Sequence, residues 1–133
     1  MVNVLVVGSG GREHSIGWKL GQSNNVNTVF YAPGNGGTLN NVQISVDDLD
    51  GLANFASENN CFTVVGPEAP LAMGIVDMFN EMGLKIFGPT KEAAQLESSK
   101  IWAKQFLKRN NISTTSFEVF DDAVKAKEYV NQI

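Results

Sequence analysis

The run Val4-Leu5-Val6-Val7, followed by Gly8-Ser9-Gly10-Gly11-Arg12-Glu13-His14, constrains this chain more than any other stretch. Four consecutive aliphatic residues, too few for a helix and closed by a glycine, predict a strand buried on both faces of a parallel sheet. Gly8, Gly10 and Gly11 lack Cβ atoms, so they can take positive φ and bring backbone N–H groups close to a ligand. The helix that follows turns its positive dipole end to the same place, which makes the turn an anion site. Arg12 falls in the first helical turn, where a cation needs a bound anion or a carboxylate beside it. A phosphate meets that need.

Strand and helix signals then alternate. Ile16 and Leu20 stand four apart in a helical segment from His14 to Gln22, although Gly17 and Gly21 each cost about 1 kcal/mol relative to alanine. Gly17 therefore predicts close helix-to-strand packing, and Gly21 a C-terminal cap. Val26 to Tyr31 reads as a second strand, with Val29 and Tyr31 on one face and Phe30 on the other. Val42, Ile44 and Val46 alternate with polar residues, predicting a short half-exposed strand. Asp47 or Asp48 caps a helix running to Asn59, and Cys61 to Val65 is another central strand. Ile75, Met78, Phe79 and Met82 form the core face of a helix stopped by Gly83, Leu84 to Phe87 is a further strand, and Thr90 caps a helix from Lys91 to Glu97. Ser98 or Ser99 caps the next helix, whose Lys100, Lys104 and Lys108 form a wet face. Phe117 to Phe120 is a brief extended piece, and Asp121 or Asp122 caps a last helix.

This alternation predicts an α/β fold, a doubly wound parallel sheet with right-handed crossovers. Ligands of such sheets lie over the carboxyl ends of the strands. The loops Gly8 to Glu13, Pro33 to Gly37, Gly66 to Pro70 and Gly88 to Thr90 all leave carboxyl ends, so four loops are expected to face one crevice. Arg12 is expected to pair with a phosphate there and Glu13 to accept from hydroxyl or amine groups. Asn35 offers both a donor and an acceptor. Glu68, held between Pro67 and Ala69-Pro70, suits a ribose diol.

Composition narrows the ligand. A net charge of -4 excludes a general polyanion surface, so nucleic acid is not expected and the anion site is local. The single cysteine, Cys61, forms no intramolecular disulfide and reads as a buried, inert thiol. His14, the one histidine, has no companion for a metal site, and a packed role and a ligand contact both remain open to it. No apolar run approaches the roughly 18 residues of a membrane helix, and no basic leader is present, so a cytoplasmic protein is expected. Nicotinamide binding fails two tests. Glu13 stands where the third glycine of G-x-G-x-x-G belongs, and Tyr31-Ala32-Pro33 offers no acid at the end of the second strand.

Taken together, Gly8-Ser9-Gly10-Gly11-Arg12-Glu13-His14, Ala32-Pro33-Gly34-Asn35, Val65-Gly66-Pro67-Glu68-Ala69-Pro70-Leu71 and Phe87-Gly88-Pro89-Thr90 resemble the amino-terminal domain of the phosphoribosylamine-glycine ligase family. The resemblance extends over the whole chain, because Ala93 to Lys100 matches the segment leading into that family's ATP-grasp region. It implies a Rossmann-like pre-ATP-grasp domain over residues 1–98 and the start of an ATP-grasp region over 99–133. It also implies a ligase of purine biosynthesis that uses ATP with magnesium or manganese to join glycine to 5-phosphoribosylamine. Substrate contacts are then expected from Gly8, Gly10, Gly11, Arg12, Glu13, Asn35, Gly66, Pro67 and Glu68, and a nucleotide contact from Lys100. On this reading the chain is an amino-terminal fragment without catalytic or metal-binding residues, expected to hold no cofactor and to be inactive alone. An apolar patch at Trp102, Phe106 and Phe117 would then favour self-association. The competing reading is a non-catalytic module that binds a nucleotide or sugar phosphate at the same crevice.

Overall fold

Strand β1 (Val2–Gly8) pairs on both edges, with β2 (Val26–Pro33) on one side and β3 (Cys61–Val65) on the other. A strand so placed has no wet face, and Val4, Leu5, Val6 and Val7 are each no more than 2% exposed. Strand β4 (Lys85–Phe87) adds beyond β3, completing a four-stranded parallel sheet in the order β2-β1-β3-β4. The computed structural model describes residues 1–133.

The period of two along β1 sorts its side chains between two cores. Val4 and Val6, with Tyr31 and Val64, meet Ile16 and Leu20 of α1 (Gly11–Leu20). Leu5 and Val7 point the other way, into a larger core with Leu52 of α2 (Leu49–Glu58) and Ile75 and Phe79 of α4 (Ile75–Glu81). Helices thus cover both faces, and the sheet is doubly wound. The chain leaves β1 toward β2 and later returns to β3 on the opposite side of β1, so the topological switch point lies between β1 and β3.

Local signals set the helix ends. Asp48 accepts from the Gly51 amide at 2.9 Å to cap α2, and Gly83 at φ +69 ends α4, with the Leu84 amide returning to the Phe79 carbonyl. Thr90, Ser99 and Asp122 cap α5 (Lys91–Ser98), α6 (Lys100–Arg109) and α7 (Ala123–Val130). No helix is long and apolar enough to cross a membrane.

Several expectations are corrected. Val42 to Val46 is not a strand. Only the bridge between Tyr31 and Asn41 forms at the edge of β2, and the Ile44 amide turns back to the Val42 carbonyl, although Val42, Ile44 and Val46 still pack on the core. The loop expected from Gly66 to Pro70 runs into the short helix α3 (Glu68–Met73) at Glu68. Pro70 falls at its third position, where an amide has no helical acceptor to lose, so the proline is tolerated. Met82 follows α4 and is half exposed, outside the core. Lys104 does not simply face water, because its Nζ donates to the Thr114 and Thr115 hydroxyls and lies over the Phe117 ring. Trp102 and Phe106 stack on each other and, like Phe117, are half-buried rather than exposed.

Gly17 is where α1 and β2 touch, because a Cβ there would overlap the Tyr31 ring, whereas a Cβ at Gly36 would meet open space. Gly17→Ala should lower stability by about 1–3 kcal/mol through overpacking, and Gly36→Ala should stay within about 0.5 kcal/mol of wild type. Urea unfolding of the two variants checks the contrast. The fully buried Thr63 hydroxyl has no hydrogen-bond partner, so Thr63→Val should be neutral or stabilising by about 1 kcal/mol in the same assay.

Candidate functional site

At the carboxyl end of β1 the chain turns through Gly8, at φ +129, and an extended Gly10 into α1. The first bond within α1 runs from the His14 amide to the Gly10 carbonyl, at 3.1 Å, so the Gly11 and Arg12 amides have no acceptor in the helix. Glu13, the third helical residue, folds back over the turn. Its Oε2 accepts from the Gly10 amide at 2.8 Å and its Oε1 from Arg12 Nε at 2.7 Å. This is half a capping box, since a glycine N-cap has no side chain with which to reciprocate. The Arg12–Glu13 contact is the one ion pair in the molecule.

Burial separates the roles of the two partners. Glu13 is 4% exposed, while the Arg12 side chain is 56% exposed. Glu13 is thus drawn into the protein, with each of its oxygens accepting one hydrogen bond from the turn. The carboxylate occupies the space that a Cβ would need at Gly8, Gly10 or Gly66. Residues far apart in sequence thus close around one group.

Three of the four expected loops are joined here. The Gly66 amide donates to the Val7 carbonyl at 3.1 Å, and a Cβ at Gly8 would meet Pro67. From β2, the Gly34 amide donates to the Gly8 carbonyl at 3.3 Å and Asn35 Nδ2 to the Ser9 carbonyl at 2.9 Å. Asn35 Oδ1 accepts from the Gly37 amide at 2.8 Å, so this side chain clamps two loops together. Glu68 is exposed at the first position of α3, beside the mouth of β3. The fourth loop is bound elsewhere: the Lys91 amide that follows it donates to Asp77 Oδ2 at 2.7 Å, and Gly88 lies against Leu71 and Val76.

Electrostatics reinforce the arrangement. Burial alone would raise the Glu13 pKa, but the hydrogen bonds from Arg12 and the Gly10 amide outweigh it and hold the carboxyl below its usual range. Arg12 is raised above its ordinary value, first by the hydrogen bond to Glu13 and then by the charges of Glu13, Glu97 and Glu68. Glu97, near the end of α5, is a neighbour that sequence reading missed. Its only signal is helical phase, and that names no partner across the fold.

The remaining candidates lie apart or carry little. Lys100, at the start of α6, is exposed and makes no ion pair. His14 packs edge-on to Tyr31 and against Gly37. Burial pushes the Cys61 thiol up to about 11, as an inert core thiol requires. No three His, Cys, Asp or Glu side chains gather as a metal site would demand. A recess of about 490 Å³ runs along the outer edge of β2 between α1 and residues 37–40. Its lining has no Lys, Arg, Asp or Glu, so the charged chemistry belongs to the crevice instead.

Residues 2–97 match the family described as phosphoribosylglycinamide synthetase, N domain. The phosphoribosylamine–glycine ligase of Vibrio vulnificus is 53% identical over 98% of this chain, that of Neisseria meningitidis serogroup B 55% over 98%, and that of Pseudomonas aeruginosa 50% over 98%. The chain spans 32% of the length of each. The crystal structure of N5-carboxyaminoimidazole ribonucleotide synthetase from Thermotoga maritima superposes with a TM-score of 0.69 at 16% identity, covering 97% of this chain and 36% of that one, a likeness of fold.

The depressed Glu13 pKa has a testable consequence. Its contribution to stability is fully present above the unfolded carboxylate value, about 4.3, and is lost as pH falls through the lower folded value. Urea midpoints measured between neutral and strongly acid pH should therefore fall more steeply for wild type than for Glu13→Gln. Parallel curves would contradict this.

Proposed function

The chain belongs to the phosphoribosylglycinamide synthetase N-domain family, and on that footing we propose that it is the amino-terminal, substrate-holding part of an ATP-dependent ligase. In this reading the whole ligase works in the cytoplasm and joins glycine to 5-phosphoribosylamine to give glycinamide ribonucleotide for purine synthesis. Residues 1–98 form the substrate domain, and 99–133 begin the ATP-grasp region.

The observation that carries the reading is the meeting of three strand-end loops at the switch point between β1 and β3, with the Gly11 and Arg12 amides unpaired and Arg12 exposed beside them. Such an end of a helix suits a monoester phosphate, which accepts from several donors at once. The Gly11 and Arg12 amides and the Arg12 guanidinium take the phosphate. Glu68 takes the ribose diol, and Gly8, Gly10, Asn35, Gly66 and Pro67 shape the walls. The net charge of -4 confines attraction for an anion to this spot and favours a small ligand over a nucleic acid.

ATP and its magnesium or manganese belong to the whole ligase in this proposal. No three metal-ligating side chains gather here to hold the metal, and toward ATP the chain offers Lys100, exposed at the start of α6. No catalytic step is therefore assigned to this part of the protein.

Calorimetric titration with glycinamide ribonucleotide, with NAD in parallel, tests the reading. The ribonucleotide should bind, Arg12→Ala should weaken it at least about tenfold, or about 1.4 kcal/mol, and NAD should not bind. Binding of NAD, or ribonucleotide binding indifferent to Arg12, would overturn the assignment.

A further inference from the structure

We propose that Glu13 is a positioning residue for ligand phosphate, acting through Arg12 and the glycine turn without touching the ligand itself. The proposal rests on the reading of the turn as a phosphate site and specifies how that site is held ready.

The geometry runs through one carboxylate. Oε1 takes the Nε–H of Arg12 at 2.7 Å, which spends the inner donor of the guanidinium and leaves its terminal Nη donors to a ligand. A long side chain that is more than half exposed is thereby held at its base and free at its tip. Oε2 takes the Gly10 amide at 2.8 Å, which removes that donor from the anion's reach and leaves the Gly11 and Arg12 amides for it. The same group lies over Gly66, so the loop of β3 packs against the turn of β1. Pre-arranged donors lose less conformational entropy when a phosphate arrives, and that is what a positioning residue supplies.

The chemistry is particular to glutamate. Glutamine has one acceptor oxygen, so its NH2 would confront either the Gly10 N–H or the Arg12 Nε–H, donor against donor. Lysine in place of Arg12 keeps the charge but has no Nε–H to be held and no planar fork to present. A mere helix cap would stabilise the turn without any preference for how the guanidinium is aimed.

Nuclear magnetic resonance on the ¹⁵N-labelled protein, with ribose 5-phosphate as the probe, separates these cases. In wild type the Arg12 Nε–H signal should be resolved and slow to exchange, and should remain so when the probe shifts the Gly11 and Arg12 amides. Glu13→Gln, with its other amide signals unmoved, should bind the probe at least tenfold more weakly, and Arg12→Lys should lose as much. Probe binding by Glu13→Gln within twofold of wild type would overturn the proposal, as would an Arg12 Nε–H that exchanges like that of a free arginine. The wild-type Nε–H measurement decides the matter even where Glu13→Gln fails to fold. A wild type with a protected Nε–H but no affinity for the probe would overturn the phosphate reading, and the proposal with it. Tight binding that ignores Glu13 would overturn the positioning role alone.

Discussion

Keeping a carboxylate ionised at 4% exposure costs several kcal/mol of lost hydration, and the turn at the end of β1 is built around offsetting that cost. Glu13 has a guanidinium on one oxygen, a backbone amide on the other, and the positive end of α1 beneath it. Both donors come from the turn itself, and the loop after β3 packs against the same carboxylate at Gly66. Meeting the needs of one ion therefore specifies the path of the turn, the start of the helix and the approach of the β3 loop.

The glycines follow from the same constraint. Gly8 needs its left-handed backbone, but Gly10 and Gly66 have no positive φ to explain them. They lack side chains because the Glu13 carboxylate fills the space a Cβ would take. Positions more than fifty residues apart are thus linked by a shared volume. Asn35 adds the third loop through the Ser9 carbonyl, so the crevice wall is hydrogen-bonded from β2 across to β3.

Beyond α5 the physics is different. Ala94 is the last buried residue, and α6 and α7 bury none. What order they have comes from local contacts: the Trp102–Phe106 stack at 5.2 Å, the Lys104 bonds to Thr114 and Thr115, and side-chain caps at both helix starts. The helical period of this region was legible because caps and i, i+4 spacing are local. The same pattern does not reveal that Lys104 turns toward the following segment.

Strand identity, helix caps and the division of β2 between two faces were determined by the sequence itself, since each depends on residues within a turn or two of one another. Gly17 could even be read as a packing contact, because a glycine inside a helix has a cost that only close approach explains. Val42 to Val46 shows the limit: its alternation reported burial correctly, but a strand also needs a neighbour to bond, and the chain bends away from β2. The site divides in the same way. Arg12 at a helix start beside a strand-end glycine turn marked a candidate anion site from sequence alone. That Glu13 is buried and bonded to Arg12, that Glu68 opens a helix, and that Glu97 adds its charge to Arg12 were decided only by the tertiary structure. The reason is physical: the desolvation of a carboxylate depends on what surrounds it in space, and Glu13 is enclosed by the end of β1 and the loop after β3 as well as by its own turn.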